Sequence, residues 1–204
     1  MMPPQFGPSI FDNVEDAEDY RPGGFHPVAI NDLFSEGRYR VVHKLGFGGS
    51  STIWLAREQH GGLVAIKVMR SDSSSSIKEI PDLSIPQSLS SLDPGVRIQI
   101  PQDHFFEHGV NGSHLCLVYQ LAGPSILSMS FCPGRYEGSR RLKKDLAMKV
   151  AKQLACTVEL MHNCGFVHGG LCQYFMPEDR LTPKNHSDIT AINVLFRIAE
   201  DVAN

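Results

Sequence analysis

Three groups of residues in this sequence have the types and spacing that chemistry requires. Residues 46–49 read GFGG between two strand-like segments, and such glycines let backbone N–H groups approach a polyphosphate without a Cβ in the way. Lys67 places a cation at the end of an apolar strand-like segment. Residues 168–169 (HG) and 188–193 (DITAIN) look like two halves of one catalytic loop, separated by eighteen residues.

The first two groups also have plain structural interpretations. Gly46 and Gly48 alone are compatible with structural glycines in a hairpin. A lone lysine in an apolar strand usually extends its ammonium from the edge of the sheet into water. Because the glycines and Lys67 lie on strands separated by only one other strand, their combination favours a phosphate-binding site over either interpretation.

The elements that position these residues follow from hydrophobic periodicity and turn residues. Strands are predicted at residues 39–45, 51–56, 63–69, 97–106, 114–119 and 193–198, with turns at 60–62 and 109–112. The first three strands are close in sequence and suggest a small antiparallel sheet. A helix is predicted over 140–163, because it carries an apolar stripe and Gly165 follows its end. The stripe consists of Leu142, Leu146, Val150, Leu154, Val158 and Met161.

Several stretches together resemble a known family. LGFGGSSTIWLA (45–56) and VAIK (64–67) resemble the glycine-rich loop and third strand of eukaryotic protein kinases. Ser51 replaces the usual third glycine, and this change, with TIWL after it and EDYRPGGFHPVAINDLFSEGRYRVVHKLG before it, resembles the SR-protein kinase family. VNGSHLCLVYQLAGPSI (110–126) resembles that family's fifth strand and hinge. The resemblance covers about residues 18–169 and 188–199.

The resemblance implies an α+β fold: a kinase-like small lobe, with an antiparallel sheet and one helix, followed by an incomplete helical large lobe. The expected divisions are an N-terminal arm with its lead-in segment at 1–38, the small lobe with its hinge at 39–122, and a partial large lobe at 123–204. Residues 1–24 are rich in Pro, Gly and acids, which predicts an extended, poorly packed arm.

The resemblance also implies an ATP site. Its predicted residues are Leu45, Gly46, Phe47, Gly48, Gly49, Ser50, Ser51, Ile53, Ala65, Lys67, Tyr119, Gln120 and Ala122. Lys67 would neutralise the α- and β-phosphates, and Tyr119 would lie at the back of the adenine pocket. Glu79 is the candidate partner of Lys67, although Pro81 and Pro86 interrupt its helix and Glu79 is alternatively a solvent-facing residue.

The same resemblance assigns the catalytic loop. Asp188 would accept the proton of the substrate hydroxyl, and Asn193 would hold a magnesium ion. His168 fits the first half of the loop, but Gly169 stands where protein kinases usually have Arg, a form that also occurs in aminoglycoside phosphotransferase-like kinases. No D-F-G motif lies between Asn193 and the last residue. Weak or no kinase activity is therefore expected of this chain.

The implied function is Ser/Thr phosphoryl transfer from Mg-ATP to a protein, with Ser/Arg-rich splicing factors as the implied substrates. The alternatives are a non-catalytic, pseudokinase-like ATP-binding fragment, a small-molecule kinase of the aminoglycoside type, and a gene-model artefact. A net charge of −3 gives no sign of direct nucleic-acid binding, and no apolar run is long enough to span a membrane. A cytoplasmic or nuclear location is expected, and the oligomeric state is left open.

The insertion of residues 170–187 matches neither kinase family, and we predict that it is a retained intron rather than a true insertion. Its removal within the codons of Gly170 and Asp188 can keep the frame and restore a continuous His-Gly-Asp loop. Sequencing of the mature transcript checks this prediction. Retention of the segment in every clone would contradict it.

Overall fold

The structure, a computed structural model, describes residues 14–74, 83, 98–131, 142–163 and 194–196. The chain divides into two compact units. The first unit comprises Met1–Ile85, Gln99–Leu121 and Ala199–Asn204, and the second comprises Pro86–Ile98 and Ala122–Ile198.

The first unit is built on a six-stranded sheet in which neighbouring strands are antiparallel. The strands are β1 (Leu33–Phe34), β2 (Tyr39–Gly48), β3 (Ser51–Glu58), β4 (Leu63–Met69), β5 (Asp103–Gly109) and β6 (Gly112–Gln120). They lie side by side in the order β1, β2, β3, β4, β6, β5. Strand β4 is therefore central, with β3 on one side and β6 on the other.

The register of the central strands sorts their side chains onto two faces. Trp54, Ile66 and Val118 are direct cross-strand partners, and all three are buried. Direct partners point to the same side of a sheet, and side chains alternate sides along each strand. The face that carries these three residues holds the main core. Its other buried members are Phe34, Tyr39, Val41, Ala56, Val64, Val68 and Cys116.

Five of the predicted strands are present as β2 to β6. Strand β4 has its predicted bounds, Leu63–Met69. Strand β5 begins at Asp103 rather than at residue 97, because Pro101 has no N–H to donate to a strand ladder. Strand β1 was missed, since two residues are too few to show a hydrophobic period.

The prediction of a poorly packed arm is wrong for its described part, residues 14–24. A short 3-10 helix, Ala17–Asp19, lies within this part. Asp19 accepts a hydrogen bond from Arg70 at 2.9 Å, which joins the segment to the end of β4. The Arg70 guanidinium also lies 5.0 Å from the ring centroid of Phe25, which is buried. Charged and aromatic contacts therefore hold the segment on the sheet.

Two glycines let the backbone of this segment approach its neighbours closely. A Cβ on Gly24 would lie 1.9 Å from the carbonyl oxygen of Asp19. Gly23 has a φ of 86°, a conformation that favours glycine. Its N–H donates to the carbonyl of Asn111 at 2.8 Å, and its own carbonyl accepts from the N–H of Asp72 at 2.8 Å. The segment is thus bound to the turn between β5 and β6 and to the loop after β4.

The second unit contains two described helices, α1 (Ile126–Phe131) and α2 (Lys144–Asn163). Helix α2 confirms the long predicted helix, with its start at Lys144 instead of residue 140. Its apolar stripe is half-buried, and Thr157 is its buried residue. The predicted strand at 193–198 is seen, in its described residues 194–196, only as an isolated bridge between Leu195 and Ser125. In the described part of the chain, no helix combines the length and apolarity needed to cross a bilayer.

His26 follows residues 14–25, which we call the N-terminal segment, and its imidazole ring lies next to that of His114 in β6. The two ring centroids are 4.8 Å apart. The Nδ1 atom of His114 lies 3.0 Å from the carbonyl oxygen of Met69. His114 Nε2 and His26 Nδ1 are buried, and neither has a hydrogen-bond partner among the described residues. Burial lowers the pKa of His26 below its ordinary value of 6.5, nearby His114 lowers it further, and Asp32 opposes the shift.

We predict that acid weakens the first unit through His26. The pKa of His26 is lower in the folded protein, so the unfolded chain takes up the proton first as the pH falls. The stability that is present above pH 6.5 is therefore lost as the pH falls from 6.5 through the pKa of His26 in the folded protein. Urea unfolding of the wild type and His26→Gln, measured from about pH 8 to about pH 5, checks this prediction. The wild-type midpoint should fall more steeply than that of the variant, and equal slopes would contradict the role of His26.

Candidate functional site

Four of the predicted nucleotide-binding residues lie together on the sheet face opposite to the main core. Ile53 pairs with Lys67, and Ala65 pairs with Tyr119. Since Ala65 and Lys67 are two residues apart in β4, both pairs point to the same side. Ile53, Ala65 and Lys67 are half-buried, and Tyr119 is buried. The pairing of three strands brings these side chains together.

Lys67 stands in an apolar part of this face. Its cross-strand partner on β6 is Leu117, which is fully buried. Leu117 belongs to a second apolar cluster with Met69, Leu115 and Tyr119, against which Ala65 and Leu83 pack. Because β4 is a central strand, Lys67 is not an edge lysine, and that structural interpretation of the residue is wrong.

The glycine-rich segment forms the hairpin between β2 and β3. Gly48 pairs with Ser51, so Gly49 and Ser50 make the turn. Two-residue hairpin turns usually need a positive φ at one or both positions. Neither Gly49 nor Ser50 has one, because the positive-φ residues among those described lie elsewhere. The geometry of the turn therefore does not require glycine here.

Packing does not require glycine in this hairpin either. A Cβ built on Gly46, Gly48 or Gly49 would meet no atom of the described structure within 4 Å. The space beside these residues is open. Of the usual reasons for a glycine, the one that remains is close approach by a group outside the described residues. The interpretation of these residues as purely structural glycines has no support from their surroundings.

The other residues predicted for this hairpin differ in exposure. Leu45 lies at a β-bulge, where the register of β2 against β3 shifts between Lys44 and Gly46, and its side chain is 47% exposed. Bulges often re-aim a side chain next to a site. Phe47 is 39% exposed, whereas Ser51 is buried at the start of β3.

The predicted adenine-edge residues lie at the end of β6. Gln120 is the last residue of β6, and its carbonyl accepts a hydrogen bond from Gln99 Nε2 at 3.0 Å. A carbonyl oxygen has two lone pairs, so this bond leaves one acceptor position. Ala122 is half-buried and belongs to the second unit.

Three predicted catalytic or metal-binding residues, Glu79, Asp188 and Asn193, lie outside the described residues. The same is true of the segment 168–187, with its His-Gly pair and insertion. Leu83 is helical and packs on the cluster next to Lys67, but the position of Glu79 relative to Lys67 stays a prediction. The part that the structure describes contains no group of three or more residues suited to bind a metal ion.

Sequence reasoning missed a charged contact behind the glycine hairpin. Lys44, two residues before Gly46, forms a salt bridge with Glu15 of the N-terminal segment. The Lys44 ammonium also lies 5.4 Å from the ring centroid of Trp54 and 5.8 Å from that of Phe47. No sequence signal connects Lys44 with Glu15, because the two are 29 positions apart and neither belongs to a periodic pattern.

The fold has a counterpart among solved structures. A search of solved structures finds a crystal structure of a kinase domain that covers 85% of this chain with a TM-score of 0.57. At 15% sequence identity this likeness shows the fold alone. The first unit therefore has the fold of a protein-kinase small lobe.

Curated sequences identify the family more closely. Protein kinase dsk1 of Schizosaccharomyces pombe is 35% identical over 163 residues, which are 77% of this chain. SRSF protein kinase 3 of Homo sapiens is 34% identical over 160 residues, and serine/threonine-protein kinase SKY1 of Saccharomyces cerevisiae is 30% identical over 165. Each of these two alignments covers 76% of this chain. The chain belongs to the SR-protein kinase family.

The aligned part is only a fraction of each relative. It covers 29% of dsk1, 27% of SRSF protein kinase 3 and 22% of SKY1, and 44% of the kinase domain of known structure. No protein-family model matches the chain.

We predict that the hairpin glycines are dispensable for folding. Gly48→Ala should change the free energy of unfolding by less than about 0.5 kcal/mol, because the added methyl group meets open space. Gly24→Ala is the matched control, and it should lose about 1–3 kcal/mol because its methyl group would overlap a carbonyl oxygen. Chemical denaturation of both variants measures the difference. Equal losses would show that packing does restrict position 48.

Proposed function

We propose that this chain binds Mg-ATP on the sheet face that carries Lys67, as the nucleotide-binding part of a Ser/Thr protein kinase. The observation that carries the proposal is the joint placement of two features. Lys67 lies on one face of the sheet with Ile53, Ala65 and Tyr119. The neighbouring strand, β3, begins at the glycine hairpin, where no described atom fills the space that a side chain on the glycines would occupy.

The residues fit a nucleoside triphosphate in both shape and charge. The glycine positions leave room for phosphate oxygens to reach backbone N–H groups. Lys67 supplies a cation next to apolar side chains, where its attraction to phosphate is less screened than in water. Ala65 is small and Tyr119 is buried beside it, which suits a flat, partly apolar base. ATP, when bound, supplies the phosphoryl group for transfer.

The proposed catalytic roles rest on the resemblance of the sequence to protein kinases, because the residues concerned lie outside the described part of the chain. Asp188 would accept the proton of the substrate hydroxyl, Asn193 would hold magnesium, and Glu79 would hold Lys67 in place. The roles of Asp188 and Asn193 follow from the loop H-x-D-x-x-x-x-N, which is interrupted in this chain after Gly169, and the role of Glu79 follows from the helix glutamate of the family. A displacement of about 1 Å in such a group can reduce the rate on the order of a hundredfold. We therefore expect the chain to bind the nucleotide and phosphoryl transfer to be weak.

The proposed substrates are proteins with serines in Ser/Arg-rich stretches. The support is the name of one relative, SRSF protein kinase 3, and the designation of others as serine/threonine-protein kinases. These relatives favour a protein acceptor over the small-molecule alternative. We also propose a cytoplasmic or nuclear location, for which the support is the resemblance of the sequence to the family.

We predict that Lys67→Met abolishes phosphoryl transfer and weakens Mg-ATP binding at least about tenfold, because the variant keeps the stem of the side chain and loses its charge. Folding should be nearly unchanged. Calorimetric titration with Mg-ATP and transfer of labelled phosphate to a Ser/Arg-repeat peptide measure the two effects. Lys152→Met, at an exposed position of α2, is the matched control and should behave like the wild type.

The outcomes separate the candidate functions. Equal Mg-ATP affinity of the wild type and Lys67→Met would refute the proposed site. Binding without transfer would favour the pseudokinase-like alternative. Transfer to an aminoglycoside but not to the peptide would favour the small-molecule kinase.

A further inference from the structure

The contact between Glu15 and Lys44 is more than a surface ion pair. The Glu15 side chain is 5% exposed and that of Lys44 is 29% exposed, so the carboxylate is buried and the lysine is half-buried. The same Glu15 oxygen accepts hydrogen bonds from Lys44 Nζ and from the Tyr20 hydroxyl. Most exposed ion pairs contribute little to stability, but a buried carboxylate with two donors holds its partners in one geometry.

The two donors keep this carboxylate ionised. Burial alone would raise the pKa of Glu15, but the hydrogen bonds from Lys44 and Tyr20 outweigh it, and the net pKa is lower than usual. Burial also raises the pKa of Tyr20, and its bond to Glu15 adds to that rise, so the phenol stays protonated and continues to donate. The Glu15 carboxylate is therefore ionised at neutral pH, when it accepts from Lys44 and Tyr20.

Lys44 connects this carboxylate to the glycine hairpin. Its ammonium lies near two aromatic rings, Trp54 at 5.4 Å and Phe47 at 5.8 Å from the ring centroids. Trp54 is buried in the main core and pairs directly with Lys44 across the sheet. Phe47 stands between Gly46 and Gly48 and is exposed. Lys44 thus joins a fixed part of the sheet to the residue at the centre of the glycine segment.

The geometry of the register places this contact on the side of the hairpin away from Lys67. Lys44 pairs with Trp54 on the core face, whereas the preceding residue of β3, Ile53, pairs with Lys67 on the opposite face. Between them lies the bulge at Leu45, where the register of β2 against β3 shifts and the strand bends. A restraint on the core face would limit how far the hairpin tips toward or away from the nucleotide face.

We propose that Glu15, Lys44, Trp54 and Phe47 form a clasp through which the N-terminal segment fixes the glycine hairpin in its nucleotide-binding position. This inference rests on the proposed function, because it concerns the affinity of the same site. Lys44 and Glu15 are positioning residues in this account, since they act on the hairpin without touching the nucleotide. Their substitution gives a hairpin that is free to move, and nucleotide binding then has to order it.

The experiment compares the full chain with Lys44→Met, Glu15→Gln and Lys44→Arg. Mg-ATP affinity is measured by calorimetry, and the mobility of residues 45–51 by hydrogen exchange with mass spectrometry in the absence of nucleotide. We expect Lys44→Met and Glu15→Gln to weaken binding about three- to tenfold and to accelerate exchange in the hairpin. Lys44→Arg keeps the charge and the ring contacts, so it should stay close to the wild type.

The matched control is Glu58→Gln, which removes a salt bridge with Arg38 at the other end of β3. It should leave both affinity and hairpin exchange unchanged. A purely structural role for the clasp predicts lower stability in Lys44→Met with unchanged exchange in the hairpin, and that result overturns the proposal. So does equal Mg-ATP affinity in Lys44→Met and the wild type.

Failure of the proposed function gives a different pattern. If the wild type does not bind Mg-ATP, the nucleotide site itself is refuted. Hydrogen exchange then decides about the clasp alone: faster exchange at residues 45–51 in Lys44→Met supports its hold on the hairpin, and unchanged exchange refutes it.

Discussion

The pairing of β4 between β3 and β6 is the constraint on which the rest of the first unit depends. Val64, Ile66 and Val68 enter the main core from this strand, so Ala65 and Lys67 have to lie on the opposite face. A register slip by one residue would move Ile66 out of the core and Lys67 into it. Burial of an unpaired ammonium costs several kcal/mol, which makes that slip strongly unfavourable. Apolar neighbours thus decide where the lysine lies.

The same alternation explains why this part of the molecule can be predicted from sequence. The run from Val64 to Lys67 carries its pattern locally, and the bounds of β4 follow from it. The glycines at 46, 48 and 49 can also be recognised from sequence, because they form a local cluster. Sequence reasoning fails where one residue depends on a distant one. The two-residue β1 has no period of its own, and its place in the sheet comes from pairing with β2.

The N-terminal segment shows the failure most clearly. Its acids, glycines and prolines are typical of disordered chain, yet Glu15 and Asp19 each find a cation on the sheet. Both cations, Lys44 and Arg70, also lie over aromatic rings. Composition alone indicates that acidic residues face water. The folded structure shows that Glu15 and Asp19 instead form salt bridges. The roles of Glu79, Asp188 and Asn193 stay predictions.

The close fit of this segment has a consequence for how the chain is made. The amide of Asn111 donates to the carbonyl of Phe25, 86 positions earlier, and the neighbouring Gly23 bonds to the backbone of Asn111. A ribosome therefore releases the N-terminal segment long before the turn that receives it exists. During that interval Glu15 and Asp19 can meet Lys44 and Arg70, which are made before Asn111. The bonds to Asn111 cannot yet form, and closing so long a loop delays them further. The N-terminal segment is therefore made before one of its partners, and we expect it to dock fully only after the turn between β5 and β6 has been made.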